Sequence, residues 1–253
     1  MAKKLAIVNQ KGGVGKSTTA INLGAALAEK GLKVLIVDID PQGNASSGLG
    51  IDKTDVEYSI YDLLLEGIDF SEAIISVTDS KLDIIPANID LAGAEIELVS
   101  QISRESRLDN ALKEDSDIYD YILIDCPPSL GLLTLNALTA ADGVIVPIQC
   151  EYYALEGLGQ LLETIKLVQN NLNSNLELEG VLLTMYDSRT NLSDQVADEV
   201  KKHFSNEIYE TVIPRNVRLS EAPSFGQSII SYDNRSSGAK AYRELAREVL
   251  EDD

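Results

Sequence analysis

The stretch that decides the fold is residues 9–18, which read NQKGGVGKST. It follows an apolar run at residues 5–8 and precedes a helical pattern that starts near Thr19. A strand, a glycine-rich loop and a helix start in this order are typical of a P-loop, because backbone N–H groups and the helix N-terminus must converge on the phosphates of a nucleotide. The stretch therefore predicts a site for Mg-ATP or Mg-GTP.

The residue types of this loop suit the chemistry of a bound nucleotide. The glycines permit the tight backbone path, and Lys16 is expected to reach the β- and γ-phosphates as a point charge. The Ser17 hydroxyl is expected to complete the ligand shell of a Mg²⁺ ion. The predicted nucleotide-binding residues of the loop are Lys11, Gly12, Gly13, Val14, Gly15, Lys16, Ser17 and Thr18.

The loop departs from the general pattern G-x-x-x-x-G-K-[ST] in two ways. Gln10 occupies the position of the first glycine, and a second lysine, Lys11, precedes the glycine pair. Because Lys16 already serves the nucleotide of its own subunit, a second lysine indicates contact with phosphates held elsewhere. Lys11 therefore suggests dimer formation.

Composition limits the possible classes of protein. A chain of 253 residues with 44% hydrophobic content can bury one full α/β core, which favours a single domain over 1–253. Cys126 and Cys150 fit neither a disulfide framework nor a zinc motif, so both are expected to be buried. The chain has no signal peptide and no apolar run near the roughly 20 residues of a membrane helix, which predicts a cytoplasmic protein.

The net charge of -20 argues against a nucleic-acid partner, but the charge is unevenly distributed. Residues 52–120 contain 18 acidic and 5 basic side chains, whereas residues 211–247 contain 3 acidic and 6 basic ones. The C-terminal part is therefore either a local basic face or a solvated mixed surface.

Apolar runs alternate with helical patterns along the chain. The apolar, β-branched runs lie at 5–8, 34–37, 82–85, 121–124, 144–148 and 181–183, and the main helical patterns lie at 19–30, 89–99, 104–114, 155–171 and 191–203. This alternation predicts an α/β P-loop fold, with a mostly parallel twisted sheet covered by helices on both faces. Gly31 is the predicted C-cap of the first helix, and Ser103 is a predicted N-cap.

Carboxylates follow two of the predicted strands, at the sheet edge where ligands bind in such folds. Asp125 follows the run at 121–124, and its carboxylate is expected to hold the phosphate-bound Mg²⁺ through the water ligands of the ion. Asp40 is placed to position the attacking water, while Asp38 either satisfies strand-end amides or contacts magnesium-bound waters. For Asp38 and Asp40 the alternative role is turn capping. The segment 212–216 ends a further short strand and is a candidate wall for the base.

Five strings together resemble the deviant Walker A ATPases, and among them the chromosomal ParA/Soj partitioning proteins. They are KGGVGKST at 11–18, DIDPQGN at 38–44, DCPPS at 125–129, CEYYALEG at 150–157 and IPRNVRLSEAP at 213–223. The resemblance extends to the C-terminal helix and covers essentially the whole chain, without the N-terminal helix-turn-helix extension of larger plasmid-type members.

This resemblance implies an ATPase that forms a sandwich dimer when it binds ATP. Lys11 would contact phosphates in the partner's site, and Asp40 would orient the hydrolytic water, so that Lys11, Lys16 and Asp40 are the expected catalytic set. Pro214 and Asn216 match family positions that line the adenine.

The resemblance also implies partners and a place in the cell. Arg189 and Arg218 match arginines implicated in non-specific binding of double-stranded DNA by the dimer. A centromere-binding ParB-type protein would stimulate hydrolysis and release the ATPase from DNA. The protein would then be nucleoid-associated and serve chromosome or plasmid segregation.

Three other classes share the loop. A MinD-like membrane ATPase needs a basic amphipathic C-terminal helix, whereas this chain ends in REVLEDD at 247–253. An iron-protein-like reductase needs cysteines that bridge a cluster between subunits, but Cys126 is expected in the core. A ligase or kinase of dethiobiotin-synthetase type is the metabolic alternative, and ATP turnover without a second substrate would count against it.

Overall fold

The computed structural model describes residues 2–77, 81–113, 118–152, 157–204 and 207–251. Within these ranges the strands form one sheet: β1 (Lys3–Ile7), β2 (Val34–Asp38), β3 (Ile75–Ser76), β4 (Leu82–Ile85), β5 (Tyr121–Asp125), β6 (Gly143–Gln149), β7 (Glu177–Tyr186) and β8 (Ile208–Pro214). The order across the sheet is β3-β4-β2-β5-β1-β6-β7-β8, and all neighbours are parallel except β3 with β4. The predicted fold class is confirmed.

Helices connect the strands and cover both faces of the sheet. In the described part of the chain they are α1 (Lys16–Glu29), α2 (Asn44–Gly48), α3 (Ile60–Leu65), α4 (Leu91–Leu98), α5 (Arg107–Leu112), α6 (Leu132–Ala140), α7 (Leu158–Asn171), α8 (Asn191–His203), α9 (Val217–Glu221), α10 (Ile229–Tyr232) and α11 (Ser237–Glu251). Short 3₁₀ turns lie at Phe70–Ala73 and Ala222–Phe225.

Two hydrophobic cores, one on each face, explain why the strands read as continuous apolar runs. In β1, Leu5 and Ile7 join the core beneath α1 and α11, whereas Ala6 joins the core beneath α3 to α8. Because successive strand residues point to opposite faces, a strand covered on both sides has few positions for polar side chains, and buried exceptions such as Asp83 and Thr184 are hydrogen-bonded.

The prediction that Gly31 follows the end of α1 is confirmed, whereas the predicted N-cap at Ser103 is wrong. Gly31 has a φ of +95° and its N–H donates to the carbonyl oxygen of Ala28, as expected just beyond a helix C-terminus. Ser103 is not an N-cap: its φ is +52°, and α5 begins only at Arg107. The helical patterns at 104–114 and 155–171 each include residues outside the described ranges.

The topology places the glycine-rich loop at the centre of the sheet. β1 lies between β5 and β6, and the carboxyl ends of these strands open towards the same edge. The loop after β1 therefore lies next to the segments that follow β2 and β5, which carry the predicted carboxylates.

Candidate nucleotide-binding site

The loop between β1 and α1 has the backbone path that a phosphate cradle needs. Gly13 and Gly15 have φ values of +75° and +94°, a region that side chains other than glycine rarely adopt. Gly15 is the residue before α1, and its carbonyl oxygen accepts the first helical hydrogen bond, from Thr19. The free N–H groups of the first turn of α1 therefore face the space enclosed by the loop.

Two polar side chains that sequence reasoning missed hold this loop in place. Asn9 donates from Nδ2 to the carbonyl oxygen of Pro147 in β6 at 2.7 Å, and its Oδ1 accepts from the N–H of Lys11 at 2.9 Å. Thr184 in β7 donates from Oγ1 to the carbonyl oxygen of Val14 at 2.8 Å. The sequence around these two residues does not indicate the contacts across the sheet. Pro147 is 138 residues from Asn9, and Val14 is 170 residues from Thr184.

Lys16 is the buried cation of the site. Its side chain is 6% exposed, and Nζ donates to the carbonyl oxygen of Lys11 at 3.3 Å. Burial lowers the pKa of Lys16, and the carboxylates of Asp125 and Asp40 oppose that shift. The ammonium group is thus held inside the loop by a weak backbone contact that phosphate oxygens can replace.

Asp38 and Asp125 lie opposite each other, in register, at the ends of β2 and β5. Asp38 is fully buried; its Oδ2 accepts from the N–H and the hydroxyl of Ser46 at 2.8 and 2.7 Å, and its Oδ1 accepts from the N–H of Asp40 at 3.2 Å. Burial raises the pKa of Asp38, while the bonds from Ser46 oppose the rise. These contacts favour the amide-satisfying alternative for Asp38; its magnesium role remains a prediction.

Asp125, unlike Asp38, has no hydrogen bonds to its carboxylate among the described residues. The residue is fully buried. Burial, and then the charge of Asp38, raise the pKa of Asp125 well above its ordinary value. The Ser17 hydroxyl approaches closely enough to oppose this rise without meeting hydrogen-bond geometry. An unpartnered carboxylate beside Ser17 suits the waters of a Mg²⁺ ion, so these residues fit the predicted metal.

Asp125→Asn is expected to stabilise the nucleotide-free protein. Because the pKa of Asp125 is higher in the folded than in the unfolded chain, the free energy of unfolding falls as pH rises above the ordinary pKa of about 3.9. At pH 7 the variant should melt higher than the wild type, by roughly 2–4 °C for each kcal/mol recovered, and the gap should narrow towards about pH 4.

Thermal melting followed by circular dichroism measures this effect. Asp198→Asn, at an exposed aspartate of α8, serves as the control and should not change the melting temperature. In the presence of ATP, Asp125→Asn should also lose the extra stabilisation that Mg²⁺ adds. A variant that melts lower than the wild type at pH 7 would contradict the account of Asp125.

Asp40 lies two residues beyond β2 and is 5% exposed. Its Oδ1 accepts from the N–H of Gln42 at 2.9 Å, and its carbonyl oxygen accepts from the N–H of Gly43 at 2.8 Å. The carboxylate thus caps its own turn and also lies close enough to Lys16 to affect the pKa of that lysine. The turn-capping alternative is observed, and the position beside Lys16 is compatible with action on water.

A cavity of about 490 Å³ opens beside the loop. Gly15 and Thr18 line one side, and Pro214 and Asn216, the predicted adenine contacts, line the other. Met185, which sequence reasoning missed, also borders it and has a left-handed backbone with φ +50°. A larger cavity of about 930 Å³, between α1 and residues 225–231, contains no residue of the loop, so the smaller one is the candidate base site.

Comparison with known proteins agrees with this geometry. A family model described as an AAA domain matches residues 2–178. The sporulation initiation inhibitor protein Soj of Bacillus subtilis is 65% identical over 98% of both chains, and the chromosome partitioning protein ParA of Myxococcus xanthus is 55% identical over 98% of this chain and 88% of its own. The chain belongs to the ParA/Soj family of chromosome-partitioning ATPases.

A solved structure is also similar to this ParA/Soj-family chain. It is that of a Mycobacterium smegmatis protein called cobyrinic acid a,c-diamide synthase, with a bound ATP analogue and magnesium. The TM-score is 0.87 and the identity 45%, over 99% of this chain and 95% of that one. The ligands of that protein agree with the predicted cofactors, ATP and Mg²⁺.

The two arginines predicted to bind DNA are exposed and paired with carboxylates. Arg189, in the turn between β7 and α8, donates from Nε and Nη2 to Asp187 at 2.8 and 2.7 Å. Arg218, in α9, donates to Glu221 at 2.8 Å and lies 3.8 Å from Asp233. Water screens exposed ion pairs and leaves them weak, so phosphate oxygens can compete for both guanidinium groups.

Among the described helices none has the length and apolar character of a membrane span. Two buried features bear on the membrane-surface and iron-protein alternatives. The apolar side of α11, including Leu245 and Val249, is buried in the core and thus unavailable to lipid; residues 252–253 of the acidic terminus lie outside the described ranges. Cys126 and Cys150 are buried, as predicted, and so cannot bridge a cluster between subunits.

Proposed function

We propose that this family member is an ATP-dependent dimeric switch that binds DNA non-specifically and hydrolyses ATP when a ParB-type partner stimulates it, driving chromosome or plasmid segregation. The main support for the dimer is that the two loop lysines, Lys11 and Lys16, lie in different environments. Lys16 is buried inside the loop, whereas Lys11 adjoins the exposed pair Gly12 and Gly13. One lysine thus serves the chain's own nucleotide, and the other lies at a surface that a second subunit can reach.

Gly12→Val is expected to leave ATP binding intact and to prevent ATP-driven dimerisation. A Cβ at Gly12 would meet no atom within 4 Å, so the folded monomer has room for the side chain. A branched side chain would instead crowd a second subunit approaching the loop. Analytical ultracentrifugation with ATP and Mg²⁺ measures the dimer fraction.

The control for Gly12→Val must be a glycine that also has room for a side chain. Gly67 has room, but its φ of +71° would strain a valine there. Gly159→Val is the better control, since an added Cβ there also meets nothing and its backbone is helical. The control should dimerise like the wild type, because valine is no worse a helix former than the glycine it replaces. A fully dimeric Gly12→Val protein would refute the proposed interface.

The geometry also supports a connection between the base cavity and the proposed DNA face. Asn216, on the cavity, accepts a hydrogen bond at Oδ1 from the N–H of Arg218 at 2.8 Å and so caps α9. Its Nδ2 donates to Ser237 at the start of α11. A base that contacts Asn216 would therefore act on the first turn of the helix that carries Arg218.

DNA binding is the experiment that tests the proposal. Arg189→Glu and Arg218→Glu are each expected to weaken binding to unrelated duplexes uniformly, while ATP-driven dimerisation remains. Affinity of the wild type should depend on ATP and fall with salt, with a log–log slope of roughly -0.9 per neutralised phosphate. Titrations with ATP and with ADP at several salt concentrations measure this.

The ion pair between Arg218 and Glu221 offers a matched variant that should change DNA affinity in the opposite direction. Glu221→Gln removes the carboxylate closest to Arg218 and should strengthen DNA binding, because the guanidinium is freed and a negative charge is removed. Binding that is insensitive to salt, equal in ATP and ADP, or unaffected by the arginine substitutions would contradict the DNA face.

The synthase name of the M. smegmatis protein keeps the metabolic ligase as the second candidate. ATP turnover distinguishes the two. A partitioning ATPase releases phosphate without a second substrate, and DNA with a ParB-type protein should accelerate the release. A ligase would require an acceptor molecule before turnover.

A further inference from the structure

An apolar stripe on α4 and the turns that flank it faces solvent. Ile89, Ile96 and Val99 are 78%, 79% and 58% exposed, and Ala92 is exposed beside them. Exposed aliphatic side chains that occur singly are ordinary, whereas a contiguous row points to an interaction. We call Ile89, Ala92, Ile96 and Val99 the α4 stripe.

The spacing of the α4 stripe is that of a helix–helix contact. Its members are separated by three, four and three residues, which places them on one side of a helix with 3.6 residues per turn. Helical turns extend beyond α4 itself, since the N–H of Ala92 donates to Ile89 and the N–H of Val99 donates to Ile96. Leu91, Ala94 and Leu98 are buried on another side, so α4 has a core-facing and a free apolar surface.

Carboxylates flank the α4 stripe. Asp90 and Glu97 are exposed on one side of it, and Glu95 borders the other. Two copies of the chain paired through this surface would bring these carboxylates together, which costs free energy. A partner helix with lysines or arginines beside its own apolar row would instead place opposite charges together. Arg104 donates to the carbonyl oxygen of Val99, but it is paired with Glu105, so the surroundings of the stripe stay acidic. The charge therefore favours a basic amphipathic helix over a second copy of the chain.

The α4 stripe also lies close to the loop that follows Asp125. The Glu95 carboxylate rests directly over Gly131, where a Cβ would overlap it, and Gly131 ends that loop and precedes α6. Oε1 of Glu95 is buried and without a hydrogen-bond partner in the described part of the chain. A helix bound along the α4 stripe would therefore act on a charged group in contact with the loop that carries the candidate magnesium carboxylate.

We propose that the α4 stripe is the docking surface for a basic amphipathic helix of a regulatory partner. The docking itself follows from the exposed row and its charges; only its regulatory effect rests on the proposed ATPase function.

The probe is a fluorescent peptide of about 18 residues, long enough to form a helix on binding, with leucines at i, i+3, i+7 and i+10 and lysines around them. Anisotropy with the full chain, without nucleotide, measures binding. Ile96→Ser should weaken the affinity about tenfold. Leu167→Ser, at an aliphatic residue of α7 that is 62% exposed, is the matched control and should bind like the wild type. Melting curves confirm that both variants are folded.

Specificity is tested with a peptide of the same composition in scrambled order and with one carrying glutamates in place of lysines. Both should bind at least about tenfold more weakly than the first peptide. Equal binding of the three peptides, or equal binding by Ile96→Ser and wild type, would overturn the docking surface. So would self-association of the nucleotide-free chain that Ile96→Ser abolishes, because the occupant would then be a second copy.

Phosphate release measured with the peptide at its wild-type Kd tests the regulatory effect. The rate should change in the wild type and only about a fifth as much in Ile96→Ser, in proportion to the peptide bound. Peptide binding with an unchanged rate would refute regulation through this surface. A chain that binds the peptide but releases no phosphate under any condition would instead contradict the proposed function and leave the docking surface intact.

Discussion

Lys16→Ala is expected to abolish ATP binding. The Lys16 ammonium is the buried cation of the loop, and the other groups that face the phosphates are neutral backbone amides. Without it the β- and γ-phosphates would lie next to Asp125 and Asp40 with only Mg²⁺ as a counter-charge within the subunit. A loss of at least about a hundredfold in affinity corresponds to roughly 2.7 kcal/mol. Calorimetric titration with Mg-ATP measures it.

Lys30→Ala is the matched control, because Lys30 follows the other end of the same helix and is exposed. It should bind ATP like the wild type. Lys11→Ala adds a second comparison: it should retain ATP binding by the monomer and lose the dimer. Unchanged affinity in Lys16→Ala would remove the P-loop assignment altogether.

Asp40→Ala is expected to bind ATP and dimerise but to hydrolyse ATP far more slowly. The proposed role of the carboxylate is to act on the attacking water, so its loss affects the transition state more than the bound nucleotide. A hundredfold fall in rate would correspond to roughly 2.7 kcal/mol of barrier. Phosphate release is the assay, and the variant should accumulate as a nucleotide-bound dimer.

The structure supplies the control that this experiment needs. Oδ1 of Asp40 also accepts from Gln42, so Asp40→Ala removes a turn contact together with the charge. Asp40→Asn keeps an oxygen acceptor for that N–H and loses only the charge. Equally slow hydrolysis in both variants would assign the effect to the carboxylate. A normal rate in Asp40→Asn would reduce Asp40 to a turn cap.

The sequence by itself determined the fold class and the centre of the site. Strands buried on both faces are mostly apolar, so β1, β2, β4 and β5 can be predicted directly even though β4 contains Asp83, and the loop glycines indicate the phosphate cradle. These features are local: spacing and residue type along the chain contain them. For the same reason the segment 212–216 could be proposed as a wall for the base before any coordinates, whereas Pro214 and Asn216 individually follow from the family resemblance.

Elements whose stability comes from distant contacts could not be predicted. β3 is two residues long and exists as a strand only because it pairs antiparallel with β4. Ser103 has the composition of an N-cap, but its left-handed backbone delays α5 to Arg107, where Asn136 accepts from the N–H of Leu108. A cap is decided by backbone geometry, which residue type only favours.

The roles within the site likewise depended on tertiary structure. Asp38 and Asp125 both follow apolar strands, and only the fold shows that Ser46 satisfies Asp38 while both oxygens of Asp125 lack a partner among the described residues. Asn9 and Thr184 look unremarkable in the sequence and hold the loop through contacts across 138 and 170 residues. Periodicity and spacing identify which groups reach the sheet edge, but burial and hydrogen-bond partners, which decide their chemistry, arise only when distant segments meet.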